Sequence, residues 1–199
     1  MKAGRCTSLL LLEHGPYERA FGTAFFVAPS LLVTAGHVVS GARRAGTRLL
    51  ISIPGTAVVD SADLQAGRIP SIHCSVKATL FNARRPNEDL AILECGYTSP
   101  HFLPISLEKL KPDSEVDIIG YPGQITADWL QSHPGLKSAD RSLPIAEKLL
   151  PLRHLTVSRG RVLTSNSIVT YYLSSVRGMS GSCVHNGGKV YGSSKSEVA

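Results

Sequence analysis

The chain has 199 residues, 43% of them hydrophobic and 18% charged, and a formal net charge of +6. That balance gives enough apolar mass for a real core, suits one domain or two small lobes sharing an interface, and excludes a disordered chain. The basic residues come as separated pairs without aromatic interleaving, so no nucleic-acid partner is expected, and no run approaches the ~20 apolar residues of a membrane span.

Glycine (18) and proline (12) cut the sequence into many short apolar runs, which favours strands and turns over long helices. Near the N-terminus, Lys2, Arg5 and the leucines of 9–12 form a charged and then an apolar stretch. Glu13 and His14 follow at once and no small-residue cleavage site appears, so 9–12 reads as a buried strand rather than a secretory signal. A cytoplasmic location is the resulting expectation.

Residues 6–12, 22–27 and 31–35 read as three strands, the last two separated by the turn signal Ala28-Pro29-Ser30. RLLISIPG (48–55) and the stretch 58–81 supply two more strands with a loop between them, and NEDLAILEC (87–95) another. Residues 98–114 are rich in proline and serine, lack periodicity, and read as a crossing between two lobes. EVDIIGYPG (115–123) opens the second half with a strand. In 124–154 the pieces ADWLQSH and PIAEKLLPLRHL suggest helical turns interrupted by Pro134, Pro144 and Pro151. LTVSRGRVLTS and SIVTYYLSS alternate as strands around turns, and SCVHNGGKVYG has the form of a hairpin with Asn186-Gly187-Gly188 at its tip. The expected organisation is an N-terminal β lobe over 1–110 and a C-terminal β lobe over 111–199.

The four cysteines, Cys6, Cys74, Cys95 and Cys183, are far apart and form no CxxC pair, so no zinc site is expected. Reduced thiols and disulfides are both compatible with the count. Cys74 and Cys95 can face each other on neighbouring strands. No metal or cofactor is called for.

Three short stretches carry chemistry together. TAGHVV places His37 directly after a strand, NEDLAIL places Asp89 at the head of another, and GMSGS holds Ser180 in a glycine-flanked turn. Singly, each has an ordinary structural reading: a satisfied histidine, a turn or cap aspartate, a loop serine. Jointly they supply a nucleophile, the base a serine needs, and the carboxylate that fixes the base's tautomer. The rivals fit less well. Ser182 falls two residues on, on the opposite side of an extended chain. Glu88 is displaced by one from the head of the strand. His185 sits near the hairpin tip and His73 on a probable strand, and Cys183 is not at the nucleophile position. The GxSxG pattern of the α/β-hydrolases is broken, because Ser182 occupies its last glycine.

On GTAFFV, LLVTAGHVV, EDLAIL, DIIGYPG and VRGMSGS, the chain resembles the trypsin-like (chymotrypsin-fold) serine peptidases over nearly its whole length. GTAFFV before TAGH, with GYP in the second half, is most similar to the V8/HtrA-type branch and to its fungal members. The resemblance implies an all-β fold of two six-stranded antiparallel β-barrels with the active site between them. It implies His37 as general base, Asp89 as orienting carboxylate and Ser180 as nucleophile, with the backbone N–H groups of Gly178 and Ser180 as oxyanion hole and Ser174 at the base of the substrate pocket. The implied activity is serine endopeptidase on a polypeptide substrate, through an acyl-enzyme.

Two departures from the family pattern stand out. Position 179 is Met where digestive members carry an aspartate that pairs with a newly cut N-terminus, so activation by N-terminal cleavage is not expected. After KVYG the family continues into a pocket wall and a closing strand, whereas here the polar SSKSEVA ends the sequence. It reads as a poor buried strand, so the second barrel is expected to be incomplete and C-terminally truncated. The alternative reading that follows is a catalytically silent protease-fold binding module or an inactive truncated product.

Overall fold

The computed structural model describes residues 3–14, 18–56, 71–81, 89–123, 154–165, 169–172 and 179–194. The expected strand stretch 58–70, the helical turns within 124–153, Ser174, Gly178 and residues 195–199 lie outside the described residues. A short 3₁₀ helix, Ala3–Cys6, leads into β1 (Thr7–His14), β2 (Glu18–Ala28) and β3 (Leu31–Thr34). A second 3₁₀ helix, Gly36–Arg43, follows β3 directly and precedes β4 (Thr47–Ser52), β5 (Ser71–Phe81) and β6 (Asp89–Cys95). These six strands close into a barrel in the order β1-β2-β3-β6-β5-β4, all neighbours antiparallel.

The run Leu9–Leu11 is buried without a break. Leu10 points into the barrel core beside Phe26, Leu32, Ile51 and Leu93. Leu9 and Leu11 point to the other face and pack with Leu50 and Tyr121. A strand covered on both faces has no need of polar alternation, which is why this stretch looked uniformly apolar. Each such leucine stabilises the fold by roughly 1.5–3 kcal/mol relative to exposure. β6 alternates instead: Ala91, Leu93 and Cys95 are buried in the core cluster and the residues between them are less so.

The second half forms a five-stranded sheet in the order β11-β10-β7-β8-β9. Its strands are β7 (Glu115–Gly120), β8 (Thr156–Ser165), β9 (Val169–Tyr172), β10 (Cys183–Asn186) and β11 (Lys189–Ser193). Among the described residues the fold is chymotrypsin-like, with a closed first barrel and a second sheet that does not close. β8 runs straight through Arg159-Gly160, with Thr156–Arg161 paired to β7, and its pairing with β9 carries a bulge between Val162 and Thr164. The β10–β11 hairpin turns on Gly187 and Gly188, both at positive φ (56° and 82°), with Asn186 already paired to Lys189. Two consecutive positive φ values are what a two-residue hairpin turn of the primed kind requires.

The tail corrects the sequence reading at its first two residues. Ser193 belongs to β11, and Ser194 is buried and bound on three sides: Gly181 N donates to its carbonyl (2.9 Å), its N–H donates to Ser182 O (2.8 Å), and its hydroxyl donates to Met179 O (2.8 Å). Small polar side chains make a poor generic strand, but here the neighbouring backbone supplies the partners of Ser194.

The connecting segment is tied to both halves. Ser99 N donates to Pro29 O and Leu103 N to Phe26 O on the barrel side, while Ser106 N donates to Val190 O and Val190 N to Pro104 O on the other. The main core cluster is likewise shared, since Ile119, Cys183 and Val190 pack with barrel residues. Among the described residues no helix is long and apolar enough to cross a membrane.

Candidate active site

His37 sits on the 3₁₀ helix that follows β3, and Asp89 is the first residue of β6, the neighbour of β3 in the barrel. That adjacency brings together two residues 52 apart in sequence. The Asp89 carboxylate makes two 2.7 Å contacts: Oδ2 with His37 Nδ1, and Oδ1 with the His37 backbone N–H. Ionised carboxylate oxygens only accept, so Nδ1 carries the proton and Nε2 presents its lone pair. Asp89 is 6% exposed and His37 33%; the acid is shielded from competing water while the imidazole edge stays reachable.

Ser180 and Gly181 form the centre of a tight turn closed by Ser182 N donating to Met179 O at 2.9 Å. Gly181 has φ +88°, the left-handed value this turn type demands of its second central residue. The turn is pressed against the first barrel. A Cβ on Gly181 would lie 2.1 Å from Thr23 O, 2.3 Å from Thr34 Oγ1 and 3.1 Å from Ala35 N, so no larger residue fits there. Thr34 and Ala35 immediately precede Gly36 and His37, so the serine turn lies against the segment that delivers the histidine. Gly22 on β2 shows the same convergence: its missing Cβ leaves room for Val38 Cγ1 at 2.6 Å and Ser180 O at 3.3 Å.

Thr23 holds these pieces. Its N–H donates to Ser180 O (2.9 Å), its carbonyl accepts from Thr34 Oγ1 (2.7 Å), and its hydroxyl oxygen accepts from Tyr121 N (3.0 Å). Tyr121 itself is fully buried, which pushes its phenol up to about 12, and its hydroxyl donates to Thr56 O. Thr23, Thr34 and Ser194 were not singled out as site residues from the sequence. The first two lie inside the quoted GTAFFV and TAGH motifs, so the signal was present but carried no chemistry of its own.

Met179, just before the serine, is fully buried with Val116, Ile118, Val162 and Val184. Ser182 is also buried, its Oγ aimed at the bare α-carbon of Gly120, where a Cβ would fall 1.7 Å away. It cannot compete with Ser180 as nucleophile from there. His185, the other candidate base, is buried on β10 with both ring nitrogens lacking a hydrogen-bond partner among the described residues, 4.0 Å from Asp117 Oδ2. His73 is exposed on β5, opposite Leu50. Among the described residues no group of three or more His, Cys, Asp or Glu is placed to hold a metal ion.

Comparison with known proteins identifies the family and the fold. A profile of the trypsin-like peptidase domain matches residues 22–192. No curated protein sequence matches the chain. Among solved structures, the active form of the Rv3671c protease from M. tuberculosis is similar with a TM-score of 0.63 at 16% identity, covering 96% of this chain and 70% of that one. The serine endoprotease from Yersinia pestis is similar at 0.58 and 15% identity, over 95% of this chain and 53% of that one. Deg5 is similar at 0.58 and 16% identity, over 95% and 78%. These likenesses show the shared fold, and the profile, spanning well over half the sequence, shows the family: the chain belongs to the trypsin-like peptidase domain family of serine endopeptidases.

Proposed function

We propose that the chain hydrolyses peptide bonds of polypeptide substrates through Ser180 as nucleophile, His37 as general base and Asp89 as the group that orients it. The observation that carries the assignment is the double clamp of Asp89 on His37, 2.7 Å to Nδ1 and 2.7 Å to the backbone N–H. It fixes the tautomer and prevents the ring from turning, so Nε2 is the nitrogen that takes the Ser180 proton as the hydroxyl oxygen attacks the carbonyl carbon. The imidazolium so formed then protonates the leaving amine, an acyl-enzyme remains, and water repeats the sequence in reverse; Asp89 stabilises the cation without taking its proton.

The oxyanion donors in this reading are the N–H groups of Gly178 and Ser180. The next two amides along the turn are excluded, since Gly181 N is committed to Ser194 O and Ser182 N to Met179 O. An oxyanion donor contributes roughly 3 kcal/mol to the transition state. Ser174 is assigned to the pocket base; a small neutral group there does not select for basic side chains. Met179 packs in an apolar cluster and offers no carboxylate to an incoming ammonium, so activity in this reading does not await a new N-terminus.

The test is labelling of the purified chain by a fluorophosphonate, which reacts only with an activated serine. Labelling that is lost in Ser180→Ala supports the assignment. A folded wild-type chain that takes up no label returns the protein to a silent binding module.

A further inference from the structure

Cys74 on β5 and Cys95 on β6 are direct partners across an antiparallel pair of strands. Residues opposed in this way project to the same face, and burial shows which face it is. Cys74 packs against the barrel core with its alternate neighbours Ile72 and Val76, while Cys95 is buried in the core with Ala91 and Leu93. Both are free thiols. Each has a weak sulfur contact to a carbonyl two residues away, Cys74 Sγ to Ile72 O at 3.8 Å and Cys95 Sγ to Tyr97 O at 3.4 Å, and the two side chains also interact with each other. Directly opposed residues in an antiparallel ladder have α-carbons about 4.5–5.5 Å apart, inside the range that a disulfide spans without backbone movement.

We propose that Cys74 and Cys95 form a redox modification site, a cross-strand pair that an oxidant of the disulfide class closes into a covalent staple. The step balances. The thiolate of Cys74, the more exposed of the two, attacks glutathione disulfide and releases one glutathione. The thiolate of Cys95, lying opposite, then displaces the second glutathione and forms the Cys74–Cys95 bond. Two protein thiols lose two electrons and two protons, and one glutathione disulfide becomes two glutathiones. Burial, with a smaller contribution from Cys95, pushes the Cys74 thiol up to about 12, so closure is slow at neutral pH and accelerates as the pH is raised. The staple encloses the stretch that includes Asp89, the first residue of β6, and so ties the strand bearing the proposed triad acid to its neighbour.

Cys6 and Cys183 provide an internal contrast. Both are completely buried, and burial pushes Cys183 up to about 12. Neither is on the path of a dissolved oxidant.

The experiment incubates the folded wild-type chain with glutathione disulfide at mildly alkaline pH. Remaining thiols are alkylated under denaturing conditions, and the unreduced digest is mapped by mass spectrometry. The expected result is a linked peptide joining Cys74 to Cys95, two hydrogens lighter than the sum of its parts, with Cys6 and Cys183 alkylated. The melting midpoint rises by roughly 5–10 °C, returns on reduction with dithiothreitol, and does not rise in Cys74→Ser. Recovery of all four cysteines as alkylated thiols, or of glutathione adducts without the linked peptide, overturns the proposal.

Discussion

Replacing Gly181 by alanine tests whether the serine turn is built around the space that glycine leaves. Two costs are expected. A non-glycine residue at φ +88° is strained by about 1–2 kcal/mol. The new methyl would also sit 2.1 Å from a backbone oxygen, Thr23 O, and 2.3 Å from Thr34 Oγ1. Neither is the end of a flexible chain, so the turn itself must shift, which adds about 1–3 kcal/mol. The expected loss is therefore about 2–5 kcal/mol. Gly188 isolates the first cost, because its φ is +82° while nothing lies within 4 Å of an added Cβ; Gly188→Ala should cost only about 1–2 kcal/mol. Urea unfolding of both variants beside wild type measures the difference. With a slope of about 2 kcal/mol per molar, Gly181→Ala should lower the midpoint by roughly 1–2.5 M and Gly188→Ala by no more than about 1 M. Equal shifts in the two variants would refute the claim that the nucleophile turn is held by contact with Thr23 and Thr34.

Two further predictions concern single groups. Asp89→Asn keeps the shape of the clamp but removes the carboxylate, and kcat on a peptide substrate should fall by a factor on the order of 10⁴ with little change in KM; retention of near wild-type kcat contradicts the role assigned to Asp89. Burial lowers the affinity of His185 for a proton, against an opposing pull from Asp117. The unfolded chain therefore binds the proton more readily, and stability should decline as pH falls below the unfolded value of 6.5, levelling off below the folded pKa. Asp117 is held low chiefly by its hydrogen bond to Arg159, so its contribution is present above the ordinary carboxylate value of 3.8 and is lost at still lower pH. His185→Phe should flatten the upper part of the acid decline when urea midpoints are measured against pH, and an unchanged slope rules His185 out as its source.

Short-range chemistry was the most legible part of this sequence. His37 of TAGH and the aspartate before LAIL each sit at the start of their own element, and Gly181 beside Ser180 has the positive φ its turn requires. The strands of the first barrel were visible because apolar runs and alternation mark burial directly, and Gly187-Gly188 marked the hairpin. Contacts between distant segments were not visible. Tyr121 N reaches Thr23 Oγ1 across 98 positions, and Ser182 Oγ fits against Gly120 only because β7 brings that glycine beneath it. Ser194 looked like the start of a polar tail because its partners are backbone groups of the serine turn, which composition does not record.

Thr23 implies that the two lobes do not have independent mechanical lives. It belongs to the first barrel, yet its amide holds the carbonyl of Ser180 and its hydroxyl holds the chain leaving β7. Rotation of one lobe against the other therefore acts on the Ser180 peptide group through the Thr23 amide. Lobe orientation and the conformation of the serine turn are coupled through that bond. A substitution as mild as Thr23→Val, which replaces the hydroxyl by a methyl, would remove the acceptor of the Tyr121 amide across the interface while leaving His37, Asp89 and Ser180 unchanged.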